Sequence, residues 1–248
     1  MSEEASWILG LHPVRSALKQ GTAIVELLVD AKRRDGRIKE VLDLAQAAGI
    51  KCRSIQGKAL DEMVHETNHQ GVALRLRQRQ SQDEPYFKAL LKKLPSAPFL
   101  LILDGVQDPH NLGACLRIAD AAGVNAVVAP RDRSVSLTAT VRKVASGAAE
   151  TVPFIQVANL ARTMKWLKSE GVWLIGTAEE ATQTLYATDL SGPLAIVMGG
   201  EGRGLRRLTR EQCDLLAKLP MAGSVESLNV SVAAGITLYE AVRQRGSV

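Results

Sequence analysis

From Phe99 to Arg245 the chain repeats one pattern, a short apolar run followed by a stretch with helical spacing, and this alternation restricts the fold more than any other feature. Strands are expected at 99–106, 126–130, 154–157, 173–178, 194–198 and 215–219. Helices are expected at 112–122, 138–146 and 160–170, in a piece from Arg206, and in a last helix reaching Arg245. The strands are apolar along their whole length, so both faces must be covered. Strands separated by helices then imply a parallel sheet between two helical layers.

The first 77 residues repeat the theme on a smaller scale. Trp7–Leu18 begins extended and turns helical, with Pro13 suited to a first helical turn. Val25–Val29 is an apolar, β-branched strand, followed by the basic cluster Lys32, Arg33 and Arg34. Ile38, Val41, Leu42 and Ala45 recur at helical spacing until Gly49 closes the helix. A short strand at 50–55, a helix at 58–64 and a strand at 71–77 complete a small α/β domain. Residues 78–98, rich in Gln, Ser, Asp, Glu and Lys with three prolines and a short amphipathic piece at 86–94, are expected to be a linker.

Composition narrows the setting. No apolar run approaches the ~20 residues of a membrane span, and the start Met1-Ser2-Glu3-Glu4 lacks the basic residues of a signal peptide, so the chain is expected to stay in the cytoplasm. Cys52, Cys115 and Cys213 are odd in number and far apart, so they are expected reduced and mostly buried, with neither disulfide nor metal cage. Of the net charge of +5, residues 1–98 carry +4, with 16 basic against 12 acidic side chains. That surplus suits a polyanionic partner and equally suits mere solubility.

Three loops stand out, each following a strand. The first is Asp104-Gly105-Val106-Gln107-Asp108-Pro109-His110-Asn111-Leu112-Gly113-Ala114-Cys115-Leu116-Arg117. The second is Met198-Gly199-Gly200-Glu201-Gly202-Arg203-Gly204-Leu205. The third is Leu219-Pro220 through Ser227-Leu228-Asn229-Val230-Ser231, where polar groups are spaced through the expected first turn of the last helix. A single cap satisfies a helix start, so this excess points to a site. In α/β sheets ligands bind at the carboxyl edge of the strands, and three such loops converging there make one pocket. Gly199–Gly204 has neither the spacing nor the early position of a dinucleotide fingerprint, and no Gly-Lys-Ser/Thr of a P-loop occurs.

In this order the three segments resemble the motifs of the SPOUT methyltransferases, in particular the ribose methyltransferases of the TrmH/SpoU type. Trp7–Gly21 with His69-Gln70-Gly71 looks like the ribosomal-protein-like RNA-binding domain fused to members that modify large-subunit ribosomal RNA. The resemblance implies an α/β fold with a small RNA-binding domain at 1–77, a linker at 78–98 and a SPOUT domain at 99–248. It further implies a parallel sheet, a deep trefoil knot and a homodimer through the C-terminal domain, with the apolar last helix from Val230 to Val242 as candidate interface. The implied activity is S-adenosylmethionine-dependent 2′-O-methylation of a guanosine ribose in 23S ribosomal RNA. Transfer to transfer RNA, and an inactive RNA-binding assembly factor on the same scaffold, stay open as alternatives. No metal is implied.

The chemistry needs a sulfonium donor held in place, a hydroxyl in line with it and help with the departing proton. Glycine turns let main chain approach a nucleoside closely, so Gly199, Gly200 and Gly202, with main chain at Leu219 and Leu228 and the strand-end Thr177, are the expected cofactor contacts. Asn111, Arg117, Glu201, Ser227 and Asn229 are the expected catalytic group. A guanidinium is not deprotonated in proteins, so Arg117 is assigned to gripping phosphate and stabilising developing negative charge. Glu201 is expected to orient Arg117 or Asn111, with Ser227 and Asn229 positioning cofactor and substrate. Arg131, Arg133, Arg142 and Lys143 are expected to flank the RNA. His65-Glu66-Thr67-Asn68-His69 spells a zinc-protease pattern, but Asn68 and Gly71 mark a helix that has ended, so a loop is expected instead.

Overall fold

A computed structural model of the chain describes residues 6–20, 24–65, 68–76, 81–200, 202 and 204–246. It divides into two compact units, 1–79 and 80–248.

The first unit contains β1 (Ser6–Leu9), α1 (Leu11–Gln20), β2 (Ile24–Asp30), α2 (Gly36–Ala47), β3 (Cys52–Ile55), α3 (Gly57–Val64) and β4 (Val72–Leu76). Its sheet runs β1-β4-β2-β3, with β4 antiparallel to both neighbours and β3 parallel to β2. Alternate residues separate two cores. Leu27, Val29, Val72 and Leu74 pack with Val14, Ile38 and Val41 of α1 and α2, while Leu28 and Ala73 pack with Leu60 and Val64 of α3. Asp35 caps α2 by accepting from the amides of Arg37 and Ile38. Cys52 lies exposed on the edge strand, contrary to the burial expected of the cysteines, whereas Cys115 is buried and its thiol is pushed up to about 12 by that burial.

The second unit opens with α4 (Glu84–Leu91), inside the stretch 78–98 expected to be a linker. That expectation is corrected over these residues, because Asp83 caps the helix and Phe87 is fully buried, edge-on to Trp166 at 5.7 Å. Then follow β5 (Phe99–Asp104), α5 (Pro109–Ala121), β6 (Ala126–Pro130), α6 (Ala139–Ala145), α7 (Ala148–Thr151), β7 (Phe154–Val157), α8 (Leu160–Ser169), β8 (Trp173–Thr177) and β9 (Gln183–Thr184). The unit closes with β10 (Leu194–Gly199), α9 (Arg207–Gln212), β11 (Leu215–Lys218) and α10 (Val230–Gln244). The seven strands form one parallel sheet in the order β7-β6-β5-β10-β8-β11-β9. Successive residues of each central strand serve opposite layers. Leu101, Leu103, Ile196 and Met198 join the core beneath α5, α6, α7 and α10, while Leu100, Ile102, Ala195 and Val197 join the one beneath α4 and α8. The helix expected at 138–146 is α6, ended by Ser146 and Gly147 at positive φ, and the short α7 that follows is not among the expected helices.

Candidate active site

The four central strands β5, β10, β8 and β11 are neighbours and end together. Gly199 pairs with Asp104, and Ala217 pairs with Thr177. Their outgoing loops, which contain all three segments singled out in the sequence, therefore leave one edge of the sheet at one level.

The glycine turn after β10 is folded tightly against the end of β5. The Gly200 amide donates to the Asp104 carbonyl at 2.9 Å, and the Gly204 amide donates back to the Gly200 carbonyl at 3.2 Å. A Cβ at Gly199 would lie 2.1 Å from the carbonyl carbon of Gly204, and one at Gly200 would lie 2.5 Å from the Gly105 carbonyl oxygen. Gly202 and Gly204 take positive φ of +74° and +60°, where a side chain is strained. The missing side chains of Gly199 and Gly200 thus let the turn pack directly on itself and on the loop that leaves β5. Thr177 turns its hydroxyl toward the end of β10, donating to the Val197 carbonyl at 3.4 Å. Leu219 and Leu228 are half-buried on the loop that leaves β11, and Leu219 packs against the core. A turn of this kind fits main-chain contact with an adenosine-bearing donor such as S-adenosylmethionine.

Two helix starts meet beside this turn. Asp108 caps α5, and the buried Asn111 lies in its first turn. Asn229 caps α10, accepting from the Ser231 amide at 2.9 Å and its hydroxyl at 2.7 Å, while its Nδ2 donates to Asn111 Oδ1 at 3.0 Å. The side-chain amides staple the two helices at their N-termini, where main-chain N–H groups favour an anion such as phosphate. Asn229 is the cap itself, so Ser227 precedes α10 instead of lying in its first turn; it is exposed.

Arg117 stands just over two turns into α5 on its exposed side and makes no hydrogen bond or ion pair with any described residue. Six positions from Asn111, it points to a different side of the helix, so the structure does not bring these two together. Glu201 lies outside the described residues. Of the expected flanking cations, Arg131 and Arg133 are exposed on the loop after β6, whose Val135 amide donates to the Val106 carbonyl at 3.1 Å, beside the same edge. Arg142 is instead paired with Glu150, which is buried.

The sequence reading missed Asp104 and Arg206. Asp104, the last residue of β5, has a fully buried side chain that accepts from the Arg206 amide at 2.9 Å and from Arg206 Nε at 2.5 Å. Its one visible signal was a carboxylate ending an otherwise apolar strand.

The zinc-protease pattern is not a metal site in shape. α3 ends at Val64, His65 takes a left-handed conformation, and Glu66 and Thr67 lie outside the described residues. His69 is buried with both ring nitrogens engaged, Nε2 with Asp61 at 2.7 Å and Nδ1 accepting from the Gly71 amide at 3.0 Å. Activity measured after dialysis against a chelator is expected to be unchanged. A loss that zinc restores would overturn this reading.

Comparison with known proteins agrees with the geometry. Residues 98–239 match the SpoU rRNA methylase family, and residues 7–82 match the RNA 2′-O ribose methyltransferase substrate-binding family. The chain is 54% identical over 246 residues to the 23S rRNA (guanosine-2′-O-)-methyltransferase RlmB of Vibrio vulnificus, covering 99% of this chain and 98% of that one. It is also 54% identical over 245 residues to the protein of the same name from Ralstonia nicotianae, covering 97% and 96%. Among solved structures, an AdoMet-bound rRNA methyltransferase from Sinorhizobium meliloti is 26% identical with a TM-score of 0.75, covering 96% of this chain and 87% of that one. With its glycine turn and paired asparagines gathered at the carboxyl edge of a parallel sheet, this chain belongs to the SpoU rRNA methylase family.

Proposed function

We propose that this protein transfers the methyl group of S-adenosylmethionine to the 2′-hydroxyl of a guanosine ribose in 23S ribosomal RNA. Likeness over almost the full chain to methyltransferases named for that reaction carries the reading, and the gathered strand-edge loops support it. S-adenosylmethionine supplies an electrophilic methyl group. The main chain of Gly199, Gly200 and Gly202, with Leu219, Leu228 and Thr177, holds the donor. Asn111 and Asn229 orient the reacting groups at the paired helix starts. Arg117 grips the substrate phosphate and offsets the negative charge that grows on the ribose oxygen as its proton passes to that phosphate or to water, while S-adenosylhomocysteine departs as the leaving group. Glu201 and Ser227 complete the catalytic group, Glu201 by orienting Arg117 or Asn111.

In this reading residues 1–77 engage the RNA and 99–248, with α4 packed on them, carry out the transfer in the cytoplasm. The chain of the second unit forms a deep trefoil knot, the topology that its likeness to the SpoU methylases implies. No helix among the described residues is long and apolar enough to cross a membrane.

The protein acts as a homodimer through its C-terminal unit. Val232 and Tyr239 are each 50% exposed on α10, with Ile236 between them, and Ile118 of α5 lies alongside near Gly235. An apolar stripe of this kind suits an interface. Ile236→Glu is expected to turn a sedimenting dimer into a monomer and to lower activity with it. An Ile236→Glu protein that remains a dimer would refute the interface.

The direct test is mass mapping of ribose methylation in RNA from cells lacking the protein. One 2′-O-methylguanosine should vanish from 23S RNA and return on incubation with purified protein and S-adenosylmethionine. Loss confined to transfer RNA, or to a base methyl group, would overturn the reading.

A further inference from the structure

We propose that Asp104 and Arg206 form a latch that holds the glycine turn in its donor-binding shape, making both of them positioning residues for the methyl donor. The proposal rests on the reading of this turn as the S-adenosylmethionine site. Asp104 grips the turn at both ends: its main-chain carbonyl accepts from the Gly200 amide, and its carboxylate accepts from the amide and guanidinium of Arg206. A segment rich in glycine has little conformational preference of its own, so its shape must come from its anchors. The carboxylate is fully buried, whereas the Arg206 side chain is 39% exposed. A buried carboxylate needs a charged, hydrogen-bonding partner, and here that partner is drawn from the far end of the turn.

A second anchor explains why the pair acts on the turn and not on the sheet as a whole. Leu205, next to Arg206, packs so closely on β8 that a Cβ at Gly176 would lie 2.8 Å from its Cδ1. Arg206 therefore ties the turn to β5 while Leu205 seats it on β8, on either side of β10. Neither side chain need touch the donor. Their effect is to keep the Gly199 and Gly200 main chain where a nucleoside can meet it.

The test is Arg206→Ala in the full-length protein, with Arg206→Lys beside it. Calorimetric S-adenosylmethionine affinity should fall roughly 10–100-fold in the alanine variant, the range seen when the hydrogen-bond partner behind a metal ligand is removed. The lysine variant should lie between it and wild type, because it keeps charge but loses the planar fork. RNA affinity should be unchanged. In the protein without donor, hydrogen exchange at Gly200 and Gly204 should quicken while Val127 and Val128 in β6 stay protected. Wild-type donor affinity in Arg206→Ala, or equal loss of RNA affinity and β6 protection, overturns the latch. Should the alanine variant fail to fold, the lysine variant decides by the same readouts. A wild-type protein that binds no S-adenosylmethionine overturns the functional reading and the latch together.

Discussion

Arg117→Ala is expected to fold, to bind S-adenosylmethionine as wild type does, and to lose at least ~10²-fold in single-turnover methyl transfer, the usual cost of deleting a group that stabilises developing oxyanion charge. If Arg117 also assists the proton's departure, the fall extends toward ~10⁴-fold. The retained affinity follows from position. Arg117 is exposed on α5, whereas the donor is assigned to the turn after β10 and the loop after β11. Retained folding follows from the same exposure, as the side chain has no partner among the described residues to orphan. Lysine should rescue little, because a point charge cannot hold phosphate and hydroxyl at once. A near-normal rate would remove Arg117 from the mechanism, and lost donor binding would move it into the donor site.

Gly199→Ala is expected to weaken donor binding by ~10²-fold or more, with Gly202→Ala as its milder companion. The added methyl at Gly199 would sit 2.1 Å from the Gly204 carbonyl carbon and 2.4 Å from its oxygen. Main chain cannot yield by changing rotamer, so the turn must open. Overpacking costs about 1–3 kcal/mol even where side chains can adjust, and the upper end corresponds to ~10²-fold in affinity. At Gly202 nothing lies within 4 Å and only the positive φ is strained. A left-handed alanine costs roughly 1–2 kcal/mol, or about 5–30-fold. Titration calorimetry on both variants reads the difference. Equal affinities in the two, or wild-type affinity in Gly199→Ala, would mean that the turn does not shape the donor site.

The parts of the fold legible in sequence were those that depend on near neighbours. Strands such as Phe99–Asp104 and Leu194–Gly199 must be apolar on both faces, and helices such as Leu160–Ser169 carry their own caps and spacing. The two-residue β9 left no pattern to read. The docking of α4 was invisible because Phe87 finds Trp166 across a gap in sequence that no periodicity records. The site divides along the same line. Glycines 199–204 and the polar run from Ser227 announce themselves locally, but the Asn229–Asn111 hydrogen bond and the Asp104–Arg206 pair each join residues over a hundred positions apart. Helical geometry also separates what spacing had grouped, since Asn111 is buried while Arg117, six residues on, faces outward.

The sheet order also governs how the molecule is completed during synthesis. β10 begins at Leu194, yet its neighbours are β5, which starts at Phe99, and β8, which starts at Trp173. Until that segment leaves the ribosome, β5 has one bare edge and β8 has two, since β11 also lies further along. Bare edges of apolar parallel strands are templates for wrong pairing, and closing them depends on long-range contacts that form slowly. The last quarter of the chain therefore brings both the donor site and the centre of the sheet, and a nascent chain stopped short of it exposes the surfaces most prone to aggregation.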